Sequence, residues 1–117
     1  MLKTKFFVLL IALVFALIVP EGGSLYTLPS GKQILLIPKG KGMNHADAEV
    51  ACKAAGGKLA SLGTAEDIKY MGEKVGEEAW IETFLNRKSA SCMAVFSGGA
   101  IAEPLETCNA LLGVVCE

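Results

Sequence analysis

Four cysteines, Cys52, Cys92, Cys108 and Cys116, restrict the fold of this chain more than any other feature. Their spacings of 40, 16 and 8 residues lack the close Cys-x-x-Cys pairs of a structural zinc site. In a short exported chain, four cysteines are expected as two disulfides, for which three pairings exist and spacing alone does not choose. The export argument comes from the amino terminus, where Lys3 and Lys5 precede an unbroken apolar run from Phe6 to Val19. A basic start followed by such a run has the pattern of a secretory signal peptide, and the run is shorter than the ~20 residues of a spanning helix. Two bonds follow suitable small residues, one after Val14-Phe15-Ala16 and one after Gly22-Gly23-Ser24. The later bond is the expected one, so residues 1–24 read as the leader and residues 25–117 as one small domain.

A domain of that size buries little surface, and disulfides compensate in secreted proteins. The whole chain carries 11 Lys and Arg against 12 Asp and Glu, a net charge of -1. Such a balance argues against a general nucleic-acid binder and against a cationic membrane-active peptide. No nucleic-acid partner is expected, and no stable membrane insertion once the leader is removed.

Leu25 to Leu28 and Gln33 to Ile37 are short extended segments joined by Pro29-Ser30-Gly31-Lys32, the pattern of a hairpin. Asn44 can cap a helix in which Ala48, Ala51, Cys52 and Ala55 share one face, with Gly56 as its stop. A buried stripe of alanine and cysteine lets a helix approach a sheet closely and aims Cys52 at the strand it covers. Leu59 to Leu62 then runs back as an extended segment. Thr64, with Asp67 three residues on, resembles a capping box, and Ile68, Met71 and Val75 form the apolar face of a second helix ending at Gly76. From Ala79 onward AWIETF, CMAVFS and LLGVVCE read as strands, with Gly98-Gly99 and Glu103-Pro104 marking turns between them. The expected class is α+β, with two helices packed on small antiparallel sheets.

Taken in order, ADAEVACKAAGGKLASL, AEDIKYM, WIE, Cys92, Cys108 and the terminal VVCE resemble the C-type lectin-like domain over essentially the whole stretch from Tyr26 to Glu117. The resemblance implies the pairing Cys52–Cys116 and Cys92–Cys108. It also implies extracellular recognition of a glycan, a microbial surface component or a protein, with roles of the kind found in innate immunity. A hyaluronan-binding Link module is the nearest alternative, but it carries a cysteine just before its tryptophan strand, where this chain has Gly76-Glu77-Glu78-Ala79.

The departures from the family bear directly on function. Only IETFLNRKSAS separates Trp80 from Cys92, so the long calcium loop with its Glu-Pro-Asn or Gln-Pro-Asp motif is missing. Glu103, Pro104 and Leu105 stand where the family carries Trp-Asn-Asp. Calcium takes six to eight oxygen ligands, and Glu103 alone cannot rebuild that shell. The expectation is a calcium-independent binding protein with no metal or other cofactor. His45, where many members have tryptophan, reads as a partly exposed first-turn residue with no Ser or acid placed beside it.

With a single histidine, no free cysteine, and Ser61, Ser89, Ser91 and Ser97 outside any nucleophile-elbow setting, no enzyme is expected. The candidate ligand-contacting residues are Lys39 and Lys41 ahead of the first helix, Asn86, Arg87 and Lys88 in the shortened loop, and Glu103. Trp80 reads as core, whereas Phe84, Leu85 and Phe96 are candidate surface anchors left uncovered by the missing loop. An alternative follows from them: a secreted structural protein that self-associates through Phe84 and Leu85 and binds no sugar.

Overall fold

The computed structural model describes residues 18–38, 42–85, 92–97 and 107–117, together with the backbone of 101–105. Strands β1 (Ser24–Thr27) and β2 (Gln33–Ile37) form the expected antiparallel hairpin, with Tyr26 opposite Ile34. Helix α1 (His45–Ala54) begins at Asn44, whose side chain accepts a hydrogen bond from the Asp47 amide. It ends at Gly56, whose φ of +90° suits a residue without Cβ. Strand β3 (Ser61–Leu62) leads into helix α2 (Ala65–Lys74), where the Thr64 hydroxyl accepts from the Asp67 amide. Strands β4 (Glu78–Ile81), β5 (Thr83–Phe84), β6 (Cys92–Phe96), β7 (Ile101–Leu105) and β8 (Gly113–Cys116) complete the chain.

The class is α+β, as expected, but the sheets are mixed rather than purely antiparallel. Six strands run in the order β1-β2-β8-β4-β6-β7, with β4 parallel to β8, and a separate parallel pair joins β3 to β5. Strands β2, β8, β4 and β6 are buried on both faces, which explains why they read as continuous apolar runs. Ile34, Leu36, Ile81, Val95 and Val115 point to the side of α2, while Leu35, Trp80, Ala94 and Val114 point to the side of α1. Ala48 and Cys52 are fully buried on that second side. Their small size brings α1 close enough for Cys52 to bond Cys116 of β8, with a Cα–Cα distance of 5.4 Å. The second bridge joins Cys92 of β6 to Cys108. Both pairings are those implied by the lectin-like resemblance.

Two expectations are corrected here. Glu103 and Pro104 do not make a turn: they lie in β7, opposite Ala94 and Met93. β7 is the outermost strand of the sheet, the position at which a residue without an N–H is tolerated. Asp67 does more than open a helix. It is 2% exposed, and its carboxylate accepts from the Ser30 amide at 3.1 Å and the Ser30 hydroxyl at 2.6 Å, which fastens the hairpin turn to α2. Asp67→Ala is expected to cost about 2 kcal/mol, since hydrogen bonds to a charged acceptor carry ~1.5–3 kcal/mol and the Ser30 amide loses its partner. A urea titration checks this, and an unchanged midpoint would show that the tether contributes nothing.

Candidate functional site

Of the residues singled out from sequence, Lys39, Lys41, Asn86, Arg87 and Lys88 lie outside the described residues, and Glu103 is placed only as a backbone position in β7. The other candidates can be located. His45 is the first residue of α1, and its amide donates to the Cys108 carbonyl at 2.9 Å. An acid does stand beside it, contrary to expectation: the Glu49 carboxylate, one helical turn on, is 3.0 Å from Nδ1. The imidazole edge also meets the Trp80 ring, with centroids 5.4 Å apart and planes at 90°. This is a packing role, since His45 covers the rim of a tryptophan that is itself fully buried and donates through Nε1 to the Met43 carbonyl.

Phe84 is not a surface anchor. It is 5% exposed and packs in the core on the α2 side, because its pairing with Leu62 turns the ring inward. Phe96 is half-buried against the α1 side of the core, and Leu85 alone of the three stands exposed. A self-association face built on Phe84 and Leu85 therefore loses its aromatic half. Among the described residues no group of three His, Cys, Asp or Glu side chains could hold a metal ion. All four cysteines are in disulfides.

Two surface features emerge that sequence reading did not isolate. The first is an aromatic cluster. Tyr26 of β1 and Tyr70 of α2 meet edge to face at 6.3 Å, and the exposed Lys74 ammonium lies 5.5 Å from one ring centroid and 5.2 Å from the other. Both rings are half-buried against the core, so they are held in place while part of each remains open to solvent. The available signal was the spacing of Tyr70 and Lys74 at i and i+4, which puts them on one helical face. The hairpin's approach, which brings Tyr26 in, is a tertiary fact. Two rigid rings with a cation can stack against the apolar face of a sugar and pair with an acidic substituent.

The second feature is an open cleft of about 560 Å³. Ile18, Pro20 and Gly22 form one wall, and Ile37, Met43, Ala51 and Ala55 lie on the other sides. Its lining is mainly apolar, with Glu21 at the rim. No family model, curated protein or solved structure matches this chain.

Proposed function

We propose that this chain is a secreted, single-domain C-type lectin-like binding protein that recognises a glycan, a microbial surface component or an extracellular protein without calcium. The observation that carries this reading is the nested disulfide pattern, in which Cys52–Cys116 encloses Cys92–Cys108. Of the three possible pairings, this is the one the resemblance requires. Two disulfides also suit an extracellular location, and among the described residues no helix is long and apolar enough to cross a membrane. The surface best suited to a saccharide is Tyr26, Tyr70 and Lys74, which needs no metal to present its rings.

The test is a glycan-array and whole-microbe screen of the secreted protein, run with calcium and with chelator, alongside Tyr70→Ala. Binding is expected to be the same in both buffers. It should fall about tenfold in the variant, the equivalent of ~1.4 kcal/mol. Loss of binding in chelator would show a calcium site and overturn the reading. Binding to no glycan or microbe would redirect the search to a protein partner.

A further inference from the structure

We infer that the leader is removed at the Ala16–Leu17 bond and that Ile18–Gly23 is retained as a working part of the domain; this rests on the export assumed in the proposed function. The sequence permits cleavage at either of two bonds, because Phe6–Phe15 and Phe6–Val19 both fit the 7–15 residue apolar region of a leader and both are followed by small residues. The contacts made by residues 18–24 distinguish between them.

Three contacts tie this segment to the fold. The Ile18 amide donates to the Ala55 carbonyl at 2.9 Å. Ala55 is the residue that closes α1, where carbonyls lack intrahelical partners, so Ile18 satisfies an acceptor that the helix leaves open. The Gly23 amide donates to the Pro20 carbonyl at 2.9 Å, folding 20–23 into a turn. A Cβ on Gly23 would stand 3.0 Å from Leu35 Cδ1, so this turn is packed directly on the buried Leu35 of β2. Ser24 then continues as the first residue of β1, opposite Leu36.

Cleavage after Ser24 would remove all of this. It would unpair the Ala55 carbonyl, shorten β1, and strip one wall from the cleft, exposing Ile37, Met43 and Ala51 to solvent. Cleavage after Ala16 keeps every one of these contacts. Hydrolysis by a signal peptidase adds the hydroxyl of water to the Ala16 carbonyl carbon and leaves Leu17 with a new amino group, protonated at neutral pH.

The experiment is expression of the full chain in secretory eukaryotic cells, followed by amino-terminal sequencing and intact mass of the protein in the medium. The expected mature terminus is Leu17. A terminus at Leu25 would overturn the inference while leaving export intact. A full-length chain retained inside the cell would overturn it together with the export assumption. Two variants sharpen the outcome: Ala16→Arg is expected to abolish the Leu17 terminus, and Ser24→Arg to leave it unchanged. The reverse pattern would assign cleavage to the later bond.

Discussion

Replacing Cys52 and Cys116 together by alanine is expected to lower stability by about 4 kcal/mol, the loop-closure value for a separation of 64 residues. The same estimate for Cys92–Cys108, with a separation of 16, is about 3 kcal/mol. Domains hold ~5–15 kcal/mol in total, so the longer bridge accounts for much of what a chain this short can muster. Position adds to the entropic effect. Both sulfurs of the longer bridge are fully buried between α1 and β8, so its loss also loosens the contact between helix and sheet. Urea titrations of the two double variants, read by fluorescence and circular dichroism, provide the check. If the Cys92/Cys108 variant proved the less stable of the two, the ranking by loop length and burial would be wrong.

The second large effect is expected at Trp80. Trp80→Ala should cost ~3–5 kcal/mol, the range for emptying a large core site. The side chain is fully buried on the α1 face of the sheet, and its Nε1 holds the Met43 carbonyl at 2.8 Å. Met43 also pairs with Leu112, so the indole links the start of α1 to the segment entering β8. Trp80→Phe separates the two contributions, because it keeps most of the packing and loses the hydrogen bond, itself worth ~1 kcal/mol. Denaturant midpoints of the two variants measure the difference. A Trp80→Phe loss as large as that of Trp80→Ala would show that the hydrogen bond, and not the filled volume, dominates.

Local chemistry made much of this architecture legible. The caps at Asn44 and Thr64, the stop at Gly56, the hairpin and the burial of Cys52 and Trp80 all depend on residue types at fixed short spacings. What escaped depends on partners distant in sequence. Asp67 looks like an ordinary first-turn acid until Ser30 arrives from 37 residues away. Phe84 reads as exposed because the strand that turns it inward, Ser61–Leu62, is only two residues long. Pro104 signals a turn in any local reading, and only its place at the sheet edge makes a strand possible there. The parallel pairing of β4 with β8 leaves no trace in either strand's composition, since both faces of each are buried and no alternation survives. The candidate recognition surface was equally hidden: Tyr70 and Lys74 share a helical face, but Tyr26 joins them only after the hairpin docks.

The place of β8 in the sheet has a consequence for how the molecule comes into being. The strand latest in sequence among those described lies in the interior of the sheet, between β2 and β4, and Cys116 at its end closes the longer disulfide. No portion of the chain ahead of β8 can join β2 to β4, so the sheet cannot close until β8 has left the ribosome. High-separation pairing of this kind makes folding slow. On the proposed secretory route, the apolar strands and four free thiols meet oxidising machinery during that interval. The order in which the thiols oxidise then becomes a step at which the fold is won or lost: a premature bond between Cys108 and Cys116, neighbours in sequence, would have to be broken again before β8 could take its place at the centre.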